Sequence, residues 1–148
     1  MIRAVIIGFS HMHVNEVALY IKNQPDFELV GAADVKSDVN EIAPLRYTPL
    51  WNLENVKENY CSNIYEDYKV MLDDLKPDMA FILSENCQKV EIVKECAKRG
   101  INVSVEKPVA TTLEEAKENL CRQTRRYAKR QIFIHFIDLP IRLCSVIC

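Results

Sequence analysis

The chain has 148 residues, of which 49% are hydrophobic and 27% charged, with a formal net charge of -2. That is enough to bury one core and too short for two ordinary domains, and the near-balanced charge gives no overall pull toward a polyanion. No apolar run approaches the roughly 20 residues that span a bilayer, and Ile2 to Ile7 is too short for a signal core, so a cytoplasmic location without membrane or nucleic-acid partners is expected.

Ile2 to Ile7 is a short apolar run closed by Gly8 and reads as a buried strand. After the turn Gly8-Phe9-Ser10-His11-Met12-His13, apolar residues recur at Val14, Val17, Ala18 and Ile21, one face of a helix that Gln24-Pro25-Asp26 ends. Phe27 to Ala33 predicts a second buried strand, closing on Asp34. From Val35 to Asn63 the pattern is weak and holds Pro44 and Pro49, which predicts a long connection with a short helix near Leu53 to Asn59. Tyr65 to Leu75 predicts a helix with Tyr68, Met71, Leu72 and Leu75 inward, stopped ahead of Pro77.

Asp78 to Leu83 is the next expected strand, followed by a helix from Cys87 to Arg99 with Val90, Val93, Cys96 and Ala97 inward and Gly100 as its left-handed cap. Ile101 to Val105 is another strand. A threonine of the Thr111-Thr112 pair, with Glu115, makes a capping box that opens a helix to about Leu120. Strands alternating with helices at this spacing predict an α/β fold with a doubly wound parallel sheet.

The last thirty residues differ in kind. Positions 119 to 148 carry a charge of +5 against -7 for the remainder, and hold three of the six cysteines. The expected organisation is a domain over residues 1 to 120 and an atypical basic tail over 121 to 148, with a strand-like stretch at 131 to 137. A frameshift or premature stop near residue 120 is one explanation, a native basic helix and strand the other. The cysteines, at 61, 87, 96, 121, 144 and 148, form no CxxC pair and are expected to be reduced thiols.

In a dinucleotide-binding turn the first glycine permits the bend, the second lets backbone approach pyrophosphate, and the third gives close contact between strand and helix. Here those positions are Gly8, Ser10 and His13. Ser10 is still small, and the amides of residues 10 to 13 would open the helix where its dipole favours an anion. An imidazole at the third position is expected to push the helix outward or to point into the cleft. Asp34, 26 residues after Gly8, suits the acid that binds a ribose 2'-hydroxyl, which favours NAD, while Lys36 leaves room for NADP. Ser84 or Asn86 is expected to cap the helix that follows the third strand. His11 and His13, with His135 or a cysteine, are conceivable metal ligands, but alternate residues on a turn seldom converge on one ion without further carboxylates or cysteines at close spacing, so no metal is expected and the histidines are read as a polar cleft lining.

Gly100-Ile101-Asn102-Val103-Ser104-Val105-Glu106-Lys107-Pro108, taken with the opening strand and glycine turn, resembles the N-terminal domain of the Gfo/Idh/MocA oxidoreductases from Met1 to about Glu118. The resemblance implies a Rossmann-like sheet in three layers with NAD, or NADP, held by the whole turn from Gly8 to His13, including Phe9, His11 and Met12. Ser84-Glu85-Asn86 occupies the family's Thr-Pro-Asn segment, and Lys89 stands where the family has a histidine. By analogy Ser84 and Asn86 line the nicotinamide side, Glu106 packs near its ribose, and Lys107 is the catalytic lysine that reaches the substrate hydroxyl, with a proline after it that is often cis.

The implied activity is hydride transfer to or from a sugar- or polyol-type hydroxyl, and the chain is expected to be truncated and inactive alone, because the family's substrate domain has no counterpart in it. Apolar surface left where that domain would dock is expected to make the chain a homo-oligomer. The alternatives are a nucleotide-binding regulatory module without turnover, and an interaction module that uses the basic tail on an acidic partner or RNA.

Overall fold

A computed structural model describes residues 1–36, 45–115, 117 and 132–135, the last four as backbone. Six strands, β1 (Ile2–Ile7), β2 (Phe27–Ala33), β3 (Ile64–Tyr65), β4 (Met79–Ile82), β5 (Asn102–Glu106) and β6 (Ile132–His135), form one sheet in the order β3-β2-β1-β4-β5-β6. Every pairing is parallel. β6 falls within the stretch expected to be strand-like, while the charge break and the domain boundary at residue 120 lie outside the described residues.

Helices α1 (Val14–Asn23), α2 (Pro49–Asn59), α3 (Tyr68–Leu75) and α4 (Asn86–Lys98) cover both faces. Successive strand residues point to opposite sides, so β1 serves two cores at once. Ala4 and Ile6 pack with Val14, Ala18 and Ile21 of α1 and Val56 of α2, whereas Val5 and Ile7 pack with Met71 and Leu72 of α3 and Ile92, Val93 and Cys96 of α4. All four of these β1 residues have no solvent exposure. Each large aliphatic side chain buried in this way contributes about 1.5–3 kcal/mol against the chain's conformational entropy. On the second face Arg99 spans α3 and α4, holding Asp73 through both carboxylate oxygens (2.7 and 3.1 Å) and Glu95 at 2.6 Å.

Three expectations change. α2 begins at Pro49, four residues before the predicted short helix: Thr48 accepts a hydrogen bond from Trp51 N as N-cap, and proline at the first helical position loses no bond because that amide has no partner in any helix. The predicted helix start at Tyr65 is instead β3, paired with Ala32 and Ala33, and Asp67 caps α3 by accepting from Lys69 N at 2.7 Å. The buried face of α4 is also rotated. Lys89, Ile92, Val93 and Cys96 are buried, while Val90 and Ala97 are half-exposed.

Gly100 closes α4 with φ +71, as the sequence predicts. Thr112 Oγ1 accepts from Glu115 N and Glu115 returns a carboxylate oxygen to Thr112 N, each at 3.2 Å, which is the expected capping box. Among the described residues no helix is long and apolar enough to cross a membrane.

Candidate functional site

The strand order reverses between β1 and β4, so the connections leaving their carboxyl ends depart to opposite faces and leave a crevice there. Gly8 and Ser84 stand at that point. Gly8 has φ +85, and a Cβ placed on it would lie 2.5 Å from Ser84 Cα, so both the backbone angle and the close approach exclude any side chain. Leu83 N donates to Ile7 O at 2.9 Å and His11 N donates to Leu83 O at 3.1 Å, which ties the turn to the end of β4.

The six residues of the turn differ in what they present. Phe9 has no exposure and its ring lies in the α1–α2 core, so only its backbone reaches the crevice. Ser10, His11 and His13 are half-buried, and Met12 is exposed. Of the amides expected to face an anion, His11 N is engaged by Leu83 O, and His13 N contacts His11 Nδ1 at 3.3 Å. His13 is the N-cap residue of α1, its carbonyl accepting from Val17 N, and it makes no side-chain cap. Its ring reaches Glu106 across the crevice instead, and Val14, Val17 and Ala18 pack α1 against the sheet.

Asn52, fully buried on α2, went unnoticed in the sequence. Its Nδ2 donates to Phe9 O at 2.9 Å, and its Oδ1 accepts from Asn15 Nδ2 at 2.7 Å. Asn55 Nδ2 then donates to Asn15 Oδ1 at 2.7 Å, and Asn59 to Asn55 Oδ1 at 2.9 Å. This asparagine ladder fixes the turn to α1 and α2 through a buried carbonyl that would otherwise go unsatisfied. Asparagines at 52, 55 and 59, with helical spacing, were the available signal.

Asp34 follows β2, half-buried, with its Oδ1 accepting from Val35 N at 2.8 Å. Lys36 O accepts from Gln88 Nε2 at 2.9 Å, so the segment after β2 is anchored to α4. Glu85, rather than Ser84 or Asn86, is the N-cap of α4, with Gln88 Oε1 accepting from Glu85 N at 3.2 Å. Ser84 is buried and its neighbour Asn86 exposed at the first helical position, where Asn86 Oδ1 accepts from Lys89.

Lys89 is the second residue whose importance the sequence concealed. It has no solvent exposure, and its Nζ donates to Asn86 Oδ1 (3.0 Å), Glu106 O (2.8 Å) and Pro108 O (3.0 Å). Three donors meet three acceptors, which is what makes a buried ammonium tolerable. Burial holds its pKa below the ordinary lysine range, with the Glu106 charge acting in the opposite direction. The two carbonyls flank Lys107, whose bond to Pro108 is cis. Lys89 therefore clamps the turn that presents Lys107, an exposed side chain at the end of β5.

Glu106, 4% exposed, directs Oε2 to Lys107 N at 3.0 Å and Oε1 to His13 Nδ1 at 3.1 Å. The second contact requires the proton on Nδ1, since a carboxylate only accepts. The rings of His11 and His13 lie 4.6 Å apart at 54°. Burial lowers the His11 pKa, Glu106 partly offsets that, and His13 adds to it. The turn, Ser84 and the Glu106-Lys107-Pro108 segment are thus gathered at the carboxyl ends of the strands. A cavity of about 270 Å³ lined by Leu72, Asp73, Lys76, Pro77, Arg99 and Ile101 lies at the opposite, amino end of β4 and β5, away from where such sheets bind ligands.

With this geometry in place, comparison with known proteins is direct. The model of an oxidoreductase family with an NAD-binding Rossmann fold, GFO_IDH_MocA, matches residues 2–131. A D-glucoside 3-dehydrogenase of Escherichia coli K12 is 28% identical over 129 residues, which cover 86% of this chain and 33% of the relative. The crystal structure of an oxidoreductase from Agrobacterium radiobacter in complex with NAD+, L-tartaric acid and magnesium superposes with a TM-score of 0.73 at 16% identity, covering 90% of this chain and 35% of the other. The myo-inositol 2-dehydrogenase of Lactobacillus plantarum superposes with a TM-score of 0.68 at 21% identity, covering 90% and 36%. The chain spans about a third of the length of each of these relatives.

Proposed function

The chain belongs to the Gfo/Idh/MocA oxidoreductase family and carries its NAD-binding Rossmann domain; from that premise we propose that it binds NAD at the β1–β4 crevice and supplies the cofactor half of a dehydrogenase acting on a sugar- or polyol-type hydroxyl. The observation that carries this reading is the Gly8 turn packed on Ser84 at the reversal of strand order, a place where a side chain would obstruct both the turn and an approaching diphosphate.

The residues present suit the cofactor. Amides of Ser10 and Met12 at the start of α1 face the pyrophosphate, Asp34 accepts from the adenosine ribose, and Asn86 and Glu106 flank the nicotinamide side. A carboxylate at position 34 disfavours a 2'-phosphate, so NAD is preferred and NADP is the secondary ligand. Lys107, presented by the Lys89 clamp, meets the substrate hydroxyl and manages its proton. When bound, the nicotinamide supplies the hydride chemistry.

Substrate class follows from relatives named for glucosides and inositols. This chain spans about a third of the length of those relatives, and binding without turnover is expected of these residues taken alone. Incubating it with NAD+ and a panel of cyclitols and glucosides, with NADH absorbance followed, tests that division. No absorbance change alongside demonstrable NADH binding is expected, and sustained NADH production would overturn the claim of inactivity.

A further inference from the structure

We propose that His11, His13 and Glu106 form a binding site for a transition-metal dication of the zinc class. The third ligand arrives from β5, 93 residues beyond His13, so no local spacing of residues points to the site. One ligand atom from each of the three residues lies within 4.8 Å of the other two. His13 Nδ1 and Glu106 Oε1, at 3.1 Å, already have nearly the separation of neighbouring donors on a tetrahedral ion, roughly 3.3 Å for bonds of about 2.0–2.1 Å. His11 completes the set by a rotation of its half-exposed ring, exchanging the long 3.3 Å contact with His13 N for a metal bond.

The carboxylate carries an independent argument. Glu106 is 4% exposed, and a buried carboxylate needs a cation or a full set of hydrogen bonds. Lys89 is buried close by and feels the Glu106 charge, but its hydrogen bonds go to the backbone carbonyls of Glu106 and Pro108 and to Asn86 Oδ1, so it makes no direct bond to this carboxylate. Oε2 is satisfied by Lys107 N, which leaves Oε1 to the imidazole edge, the place where an ion would sit.

Outer contacts fit the same reading. Glu16 Oε2 lies 4.0 Å from His13 Nε2, the nitrogen left over when Nδ1 is a ligand, too far for a hydrogen bond but near enough for its charge to favour a cation on this ring. Two imidazoles and one carboxylate suit zinc or its first-row neighbours, while magnesium and calcium favour all-oxygen sets. Three protein ligands leave one coordination position open. The site shares Glu106 and the glycine turn with the cofactor reading but does not depend on it, since it requires no dinucleotide.

The test is calorimetric titration of zinc into the chelator-treated full chain without nucleotide, paired with the absorption spectrum of the cobalt(II) form. Saturable binding of one ion is expected, with a cobalt spectrum free of thiolate charge-transfer bands. Affinity should fall by at least about tenfold in both H11N and H13N, since loss of even an outer partner of a ligand costs about 10–100-fold. Circular dichroism and melting confirm that each variant folds, and because His11 is half-exposed, H11N keeps the test decisive if E106Q or H13N does not fold. Absence of saturable binding, equal affinity in folded H11N, or thiolate bands that assign the ion to cysteines would each overturn the proposal.

Discussion

The Lys89 ammonium, without solvent exposure, donates to the backbone carbonyl of Glu106 at 2.8 Å and so joins the first turn of α4 to the end of β5. Its hydrogen bonds go to Asn86 Oδ1 and to two backbone carbonyls, and with Pro108 O it brackets Lys107. K89M would leave three acceptors without donors, two of them backbone carbonyls, and urea unfolding is expected to show a loss of about 2–4 kcal/mol. K89H, which keeps one donor, should lose less. Equal stability of K89M and wild type would remove the clamp.

Gly8 is expected to tolerate no substitution. G8A must hold a left-handed angle and place a methyl 2.5 Å from Ser84 Cα, so the free energy of unfolding should fall by at least about 2 kcal/mol and NADH affinity should fall with it. Denaturant midpoints and NADH fluorescence titration on the folded fraction check both.

Asn52 makes a separable prediction. N52L preserves most of the side-chain volume but leaves Phe9 O and the Asn15 amide unpaired, a loss of about 1–3 kcal/mol by thermal or chemical unfolding. N59A, at the exposed end of the same ladder, should change stability by less than about 0.5 kcal/mol.

Cysteine reactivity follows burial. Cys87 is exposed at the start of α4, Cys61 and Cys96 are buried, and burial raises the Cys61 thiol and pushes Cys96 up to about 12. Of these three, only Cys87 should be alkylated by iodoacetamide at neutral pH in the native chain, with Cys61 and Cys96 reacting after denaturation. Peptide mass mapping of the two samples reads this directly.

Much of this arrangement was legible in the sequence, and for identifiable reasons. The runs at Ile2–Ile7, Phe27–Ala33 and Met79–Ile82 are mostly apolar, as strands covered on both faces tend to be, Asn102–Glu106 keeps Val103 and Val105, and glycine marks the turn after β1 at Gly8 and the end of α4 at Gly100. α2 escaped because its polar face carries the asparagine ladder and Pro49 reads as a break when it is a start. The buried face of α4 was misjudged because it includes Lys89, which apolar periodicity assigns to solvent, and only the distant carbonyls of Glu106 and Pro108 explain its burial. The meeting of His13 with Glu106 was likewise invisible, since it depends on β1 and β5 lying either side of β4.

Calorimetric titration of the folded chain with NADH and, in parallel, NADPH tests the central claim most directly. One-to-one saturable binding of NADH, tighter than that of NADPH and with the preference reduced in D34A, is the expected result. No saturable binding of either nucleotide by a demonstrably folded sample would contradict the account, because the Gly8–Ser84 crevice would then exist without the ligand it is proposed to hold.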